Sequence, residues 1–246
     1  MGTVIMSGIV PQLEKPSGGI LAGGLAVGST VKLMENGVAT EYLVVNKGIP
    51  SGSSLYDASC DGLWLLRKDI HSNRQWNTSY VNTYESSAIN TWLNGEFFNT
   101  LGSVEQATIK QVKIPYCVGN GASTVNSGAN GLSVKAFLLG GYELGLTTSD
   151  DSYLPEDGAK LDYFEAGRGT SAGNKRIAYL NGSATNWWIR SPRQDYSRGV
   201  GTVPTSSYYS NLQYYEANDS YGVRPALVLP SNAVFDETTM LLKGVA

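Results

Sequence analysis

Residues 186–192, NWWIRSP, and residues 222–230, GVRPALVLP, decide how this 246-residue chain is read. Both are dense in tryptophan or branched aliphatic residues, the mark of a buried strand. Each large apolar side chain contributes about 1.5–3 kcal/mol when it leaves water, so the blocks have the means to fix whatever lies between them. They are expected to be neighbours in the core. Arg190 and Arg224 sit inside these blocks. An unpaired buried guanidinium is costly, so both are expected to serve the frame through carboxylate or carbonyl partners.

Between the blocks runs RQDYSRGVGTVPTSSYYSNLQYYEANDSY, residues 193–221, with six of the chain's 15 tyrosines. Tyrosine offers a broad apolar face and a hydroxyl at low entropic cost, while Ser, Asn and Asp adapt their hydrogen bonds, a mixture on which recognition loops converge. The expected contact area is Tyr196, Tyr208, Tyr209, Tyr214, Tyr215 and Tyr221. Polar specificity is expected from Asp195, Arg198, Ser206, Asn211, Asn218 and Asp219. Val200, Val203, Leu212 and Ala217 are the natural inward anchors.

Outward from this window, the chain reads as a Gly-rich lead-in over residues 1–27 and one domain over residues 28–246. VKLMENGVATEYLVV (31–45) alternates and turns at Asn36-Gly37, a hairpin dipeptide. GLWLLRKDI (62–70) reads as a third strand. SSAINTWLNGEFFNTL (86–101) puts Ile89, Trp92, Leu93, Phe97 and Leu101 on one helical face, ended by Gly102. A second helix is expected from Ser103, with Gln106 at capping-box spacing. GNGASTVNSGANG (119–131) reads as a polar surface loop, LSVKAFLLG (132–140) as a strand, and Lys160–Ala166 as a short helix. The order of elements makes an α+β domain of mixed short strands, two helices and much loop.

The charge is low, −3 at neutral pH with 16% charged residues, so no field draws the chain to nucleic acid. No apolar run approaches the roughly 20 residues of a membrane span, and the first residues do not read as a signal peptide. Two cysteines 57 positions apart and one histidine exclude structural zinc, and Cys60 and Cys117 are read as free buried thiols, with a disulfide between them as the alternative. His71 has no nucleophile-elbow motif to serve. The acid pairs Asp150-Asp151 and Glu156-Asp157 read as solvated loop carboxylates rather than a glycosidase pair. No cofactor, metal or catalytic residue is expected.

Together with GSTVKLMENGVATEYLVVNKG (28–48), LYDASCDGLWLLRKDI (55–70) and VKAFLLGGYELG (134–145), the two blocks make the chain from about Gly28 resemble the bacterial and phage domains with a C-type-lectin-like fold, of the formylglycine-generating-enzyme type. That group includes the variable proteins of diversity-generating retroelements, whose C-terminal region is rewritten at adenines. The resemblance implies a non-enzymatic protein that recognises a protein or other macromolecular receptor on a cell surface through a variable region at about 187–227. It implies a phage tail or the bacterial surface as its setting. The alternative is a fixed structural or assembly domain of such a particle. The oxidase relatives use a cysteine pair near the C-terminal end, and this chain has none after Cys117. The calcium-lectin tripeptides are also absent. Rewriting adenines in AAY codons cannot yield Gln or Glu, so Gln194, Gln213 and Glu216 are expected to be fixed positions within the window or to use other codons.

Overall fold

The computed structural model describes residues 18–206 and 212–246. Two five-stranded sheets carry the domain. The first runs in the order Ala136–Phe137, Ala226–Leu229, Leu63–Arg67, Val38–Lys47, Thr30–Glu35, with every pair antiparallel. Its hairpin turns where expected: Asn36 and Gly37 take φ values of 48° and 77°, the left-handed conformation that a two-residue turn requires. The second sheet runs Gln213–Glu216, Gly199–Val203, Trp187–Pro192, Ser220–Val223, Ser72–Gln75.

The central strand Trp187–Pro192 is buried along its whole length. It pairs antiparallel with Gly199–Val203 and parallel with Ser220–Val223 through Trp187 and Gly222. The two framework blocks therefore meet, with Trp187 and Gly222 as their one strand register pair. GVRPALVLP divides at Arg224-Pro225, where proline offers no ladder N–H. Val223 ends in the second sheet, and Ala226–Leu229 crosses to the first. The segment after Phe137 joins the sheets, since Arg190 N donates to Leu139 O at 2.9 Å while Phe137 pairs with Ala226. Trp64, Phe137, Trp76, Trp187 and Trp188, all fully buried, fill the core.

Ser87 caps the first helix by accepting from Asn90 N. The helix runs from Ala88 to Thr100, with its middle, Leu93–Phe97, widened to a π turn. The expected face of Ile89, Trp92, Leu93 and Phe97 is buried, as is Leu101 just beyond. The second helix spans Ser103–Thr108, but its cap is Gly102, not Ser103. The Gln106 side chain reaches back to Leu101 O at 2.7 Å instead of closing a capping box. A small third sheet pairs Ile20–Leu21 and Leu242–Val245 with Ala233–Phe235. The architecture is α+β, mostly strands, and among the described residues no helix is long and apolar enough to cross a membrane.

Three expectations need correction. The polar stretch after Tyr116 is a hairpin: Tyr116–Gly119 pairs with Ala122–Asn126 across Asn120-Gly121, whose φ values are 55° and 79°. LSVKAFLLG breaks at Lys135, because the Asn94 carboxamide oxygen accepts both Lys135 N and Ala136 N and turns the chain from one sheet into another. Lys160–Ala166 forms no helix, and the helix of that region is Thr170–Arg176.

Candidate functional site

The window leaves the central strand at Pro192, loops outward over residues 193–198, and returns as Gly199–Val203. Its inward anchors are as expected, with Val200, Val203, Leu212 and Ala217 all buried. The outward loop is held by Asn82, itself fully buried. Asn82 Nδ2 donates to the carbonyls of Tyr196 and Gly199 at 2.8 and 2.7 Å and lies 3.4 Å from that of Arg193. Its Oδ1 accepts from Asn120 N at 2.7 Å, and its backbone N–H donates to Ser197 O. Gly119 makes room for this clamp, since a side chain there would run into the Asn82 carbonyl.

Tyr214 and Tyr215 are consecutive in the edge strand and join two different clusters. Tyr214 meets Tyr153 edge-on at 6.4 Å, and the Arg193 guanidinium lies 3.8 Å from the Tyr153 ring centroid and 5.8 Å from that of Tyr214. Asp195 holds Arg193 in two hydrogen bonds, at 2.6 and 3.1 Å, which pull the Asp195 carboxyl below its ordinary range. Burial and the nearby Asp151 carboxylate push the Tyr214 hydroxyl well up. The turn Ala217–Asp219 brings Tyr221 against Tyr215, with centroids 4.4 Å apart, and Tyr221 in turn meets Trp188 edge-on at 5.1 Å. Burial, then Tyr215, raises the Tyr221 hydroxyl to about 12.

Of the residues expected to contact a partner, Tyr196, Asp195, Arg198 and Asp219 are exposed. Ser206, Tyr214, Tyr215, Asn218 and Tyr221 are half-buried. Tyr208, Tyr209 and Asn211 lie outside the described residues. Several polar members are already engaged: Tyr196 Oη donates to Glu216 Oε1 at 2.8 Å, Asp219 Oδ2 accepts from Glu216 N, and the Asn218 carbonyl accepts from Gln75. The three residues expected to be fixed each tie the window to something. Gln194 donates to Ser152 O, Gln213 Oε1 accepts from Asn186 and Tyr215, and Glu216 receives Tyr196.

Sequence reasoning missed Tyr80 and Tyr153. Arg198 stacks over Tyr80 at 5.1 Å as Arg193 does over Tyr153. Each tyrosine stands alone in a polar loop, and only the fold brings it beside the window.

Behind the site, Arg190 is fully buried and clamps five acceptors. Its Nη1 and Nη2 bind Glu143 at 2.6 and 2.7 Å, and it donates to the carbonyls of Pro115, Leu138 and Asp157. Arg224 donates to Arg67 O and lies 5.2 Å from the Trp187 ring centroid. Burial lowers its pKa to about 10. Both arginines serve the frame.

His71 packs edge-on between Trp92 and Phe97 and touches Ser72, and burial lowers its pKa. Asp150 and Asp151 cap their own turns, accepting from Thr147 and Tyr153. Asp157, read as a solvated loop carboxylate, is instead fully buried. Cys60 and Cys117 are free and buried. Among the described residues no group of three or more His, Cys, Asp or Glu side chains is placed to hold a metal. A groove of about 410 Å³ lies away from the window, between Phe98, Asn94 and Lys135, and its amides are largely bonded within the chain.

No curated protein and no solved structure matches the chain. A family model described as Domain of unknown function (DUF6273) matches residues 61–231, a span that holds the central strand and the entire window, and the chain belongs to that family.

Proposed function

We propose that the tyrosine window and the two fixed loops beside it form a recognition face for a macromolecular receptor displayed on a cell surface. The domain is read as a C-type-lectin-like, non-enzymatic target-binding protein of a phage tail or bacterial surface, resembling the variable proteins of diversity-generating retroelements. One observation carries this reading. Eight large hydrophobic side chains are exposed among the described residues, and Tyr80, Val81, Tyr153 and Tyr196 cluster around the window. Two arginines stack on this rim. Tyrosine and arginine dominate the energetics of protein interfaces, and exposed apolar groups gathered on one rim mark a contact surface.

The variant Tyr80→Ala/Tyr153→Ala/Tyr196→Ala removes three exposed rings, each expected to cost within about 0.5 kcal/mol of stability. Labelled wild-type protein should adhere to some members of a panel of bacterial cells, and the variant should lose at least about tenfold in that binding, the equivalent of 1.4 kcal/mol. Undiminished binding by the variant sinks the reading. A wild-type oligomer that the variant dissolves would assign the same face to assembly. Retroelement variation carries its own expectation: the flanking DNA holds a near-repeat of the Trp187–Leu227 coding region, differing at adenines, beside a reverse transcriptase. Without it, the face has fixed specificity.

A further inference from the structure

Beneath the window, one guanidinium faces two carboxylates. Arg190, Glu143, Asp157 and Ser191 are all fully buried. Arg190 is bidentate to Glu143, while Asp157 Oδ2 is 4.0 Å from Arg190 Nε and depends on Ser191 Oγ at 2.8 and 2.9 Å for its carboxylate hydrogen bonds. The remaining groups around the cluster bring no second cation. Tyr56 Oη donates to Glu143 from one loop, Gly140 N and Gly141 N donate to Glu143 and Ser191 from another, and the Cys117 thiol and the Tyr214 hydroxyl sense the Asp157 charge from the hairpin and the edge strand. With both acids ionised, a surplus negative charge is buried.

The surplus sits where it matters for the recognition face. Asp157 ends the loop that carries Tyr153, and Ser191 is two residues before Arg193, which stacks on Tyr153. Gln194 fastens the two loops, its backbone N–H donating to Tyr153 O at 3.1 Å and its side chain to Ser152 O at 2.8 Å.

We propose that this cluster is a proton-operated latch on the two loops: protonated Asp157 holds the Tyr153 and Arg193 loops together, and loss of that proton loosens them. The regulatory significance rests on the recognition face proposed above, but the latch itself is read out without any target.

Burial, against the opposing pull of Arg190, raises the Asp157 carboxyl from 3.8 to about 6. Because the folded-state value lies above the unfolded one, the native state holds the proton more tightly. The stabilisation is therefore complete below about pH 4 and is lost as pH rises through about 6. Between those limits Asp157 makes the melting temperature fall as pH rises, while the buried His71 and the paired Asp195 act in the opposite sense, so the difference between wild type and Asp157→Asn isolates the Asp157 contribution.

Three proteins test the latch: wild type, Asp157→Asn, and Glu143→Gln. Melting curves and amide exchange, corrected for intrinsic rates, are followed from about pH 4 to about pH 7.5. In the wild type, the melting temperature and the protection of the Gln194 amide relative to the core Val228 amide should drop together. Asp157→Asn, a neutral isostere of the protonated acid, should show neither drop and should melt above wild type at neutral pH. Glu143→Gln, which leaves one carboxylate for one guanidinium, should shift both drops to lower pH. A wild-type profile parallel to that of Asp157→Asn, or an unmoved difference in Glu143→Gln, would overturn the proposal. A melting step without the Gln194 change would confine Asp157 to global stability. Failure of the rim variant to lose cell binding would leave these outcomes unaffected.

Discussion

Arg190→Ala should destabilise the domain by about 3–5 kcal/mol, the range for breaking a buried ion pair from one side. The substitution strips Glu143 of its bidentate partner and leaves the carbonyls of Pro115, Leu138 and Asp157 without that donor. Two buried carboxylates then face each other with no cation between them. A total stability of about 5–15 kcal/mol is ordinary for a domain, so the loss takes a large share of it. Urea unfolding at neutral pH measures the effect. The cost should shrink in mild acid, as Asp157 takes up a proton and its repulsion of Glu143 ends. An unchanged urea midpoint at neutral pH would mean that the cluster contributes nothing net to the fold.

Asn82→Ala carries the second large effect, about 2–4 kcal/mol, because buried groups left without a partner cost about 1–3 kcal/mol each. Asn120 N and the Tyr196 carbonyl lose the amide that serves them, while the Gly199 carbonyl keeps the bond from Arg193 N. Asn82→Asp separates the two halves of the clamp, keeping the acceptor for Asn120 N and losing both donors to the loop. The alanine variant should expose the Asn120 amide to exchange, and the aspartate variant should leave it protected. Equal exchange of that amide in both would show that the Asn82 side chain does not govern the hairpin turn.

Much of the frame was legible because its signals are local. Asn36-Gly37 and the apolar stripe from Ile89 to Leu101 depend only on neighbours in sequence, and the structure keeps them. The hairpin at Asn120-Gly121 carried the same dipeptide as the first, and its polar flanks hid it. Those flanks are half-buried or exposed along Ala122–Asn126, so hydrophobic alternation could not announce them. Asp157 was misread for the opposite reason. Nothing near it in sequence declares that Arg190, 33 residues on, will lie against it. The rim tyrosines Tyr80 and Tyr153 share that difficulty, since their importance comes from Arg198 and Arg193, which the chain supplies much later. Tyr214 and Tyr215 read as surface contacts, yet both pack partly against the core, so truncating them tests stability along with binding.

The Asn82 clamp is blind to the side chains of the loop it holds. It grips carbonyl oxygens and one backbone N–H, groups that do not record which side chain stands at 193, 196 or 199. The backbone attachments of the loop from Arg193 to Arg198 thus survive a change of residue, while its side-chain ties, Arg193 to Asp195, Gln194 to Ser152 and Tyr196 to Glu216, do not. If the face recognises a receptor as proposed, a surface built this way separates inheritance of shape from inheritance of chemistry, and a new specificity can arise there without a new fold having to be found.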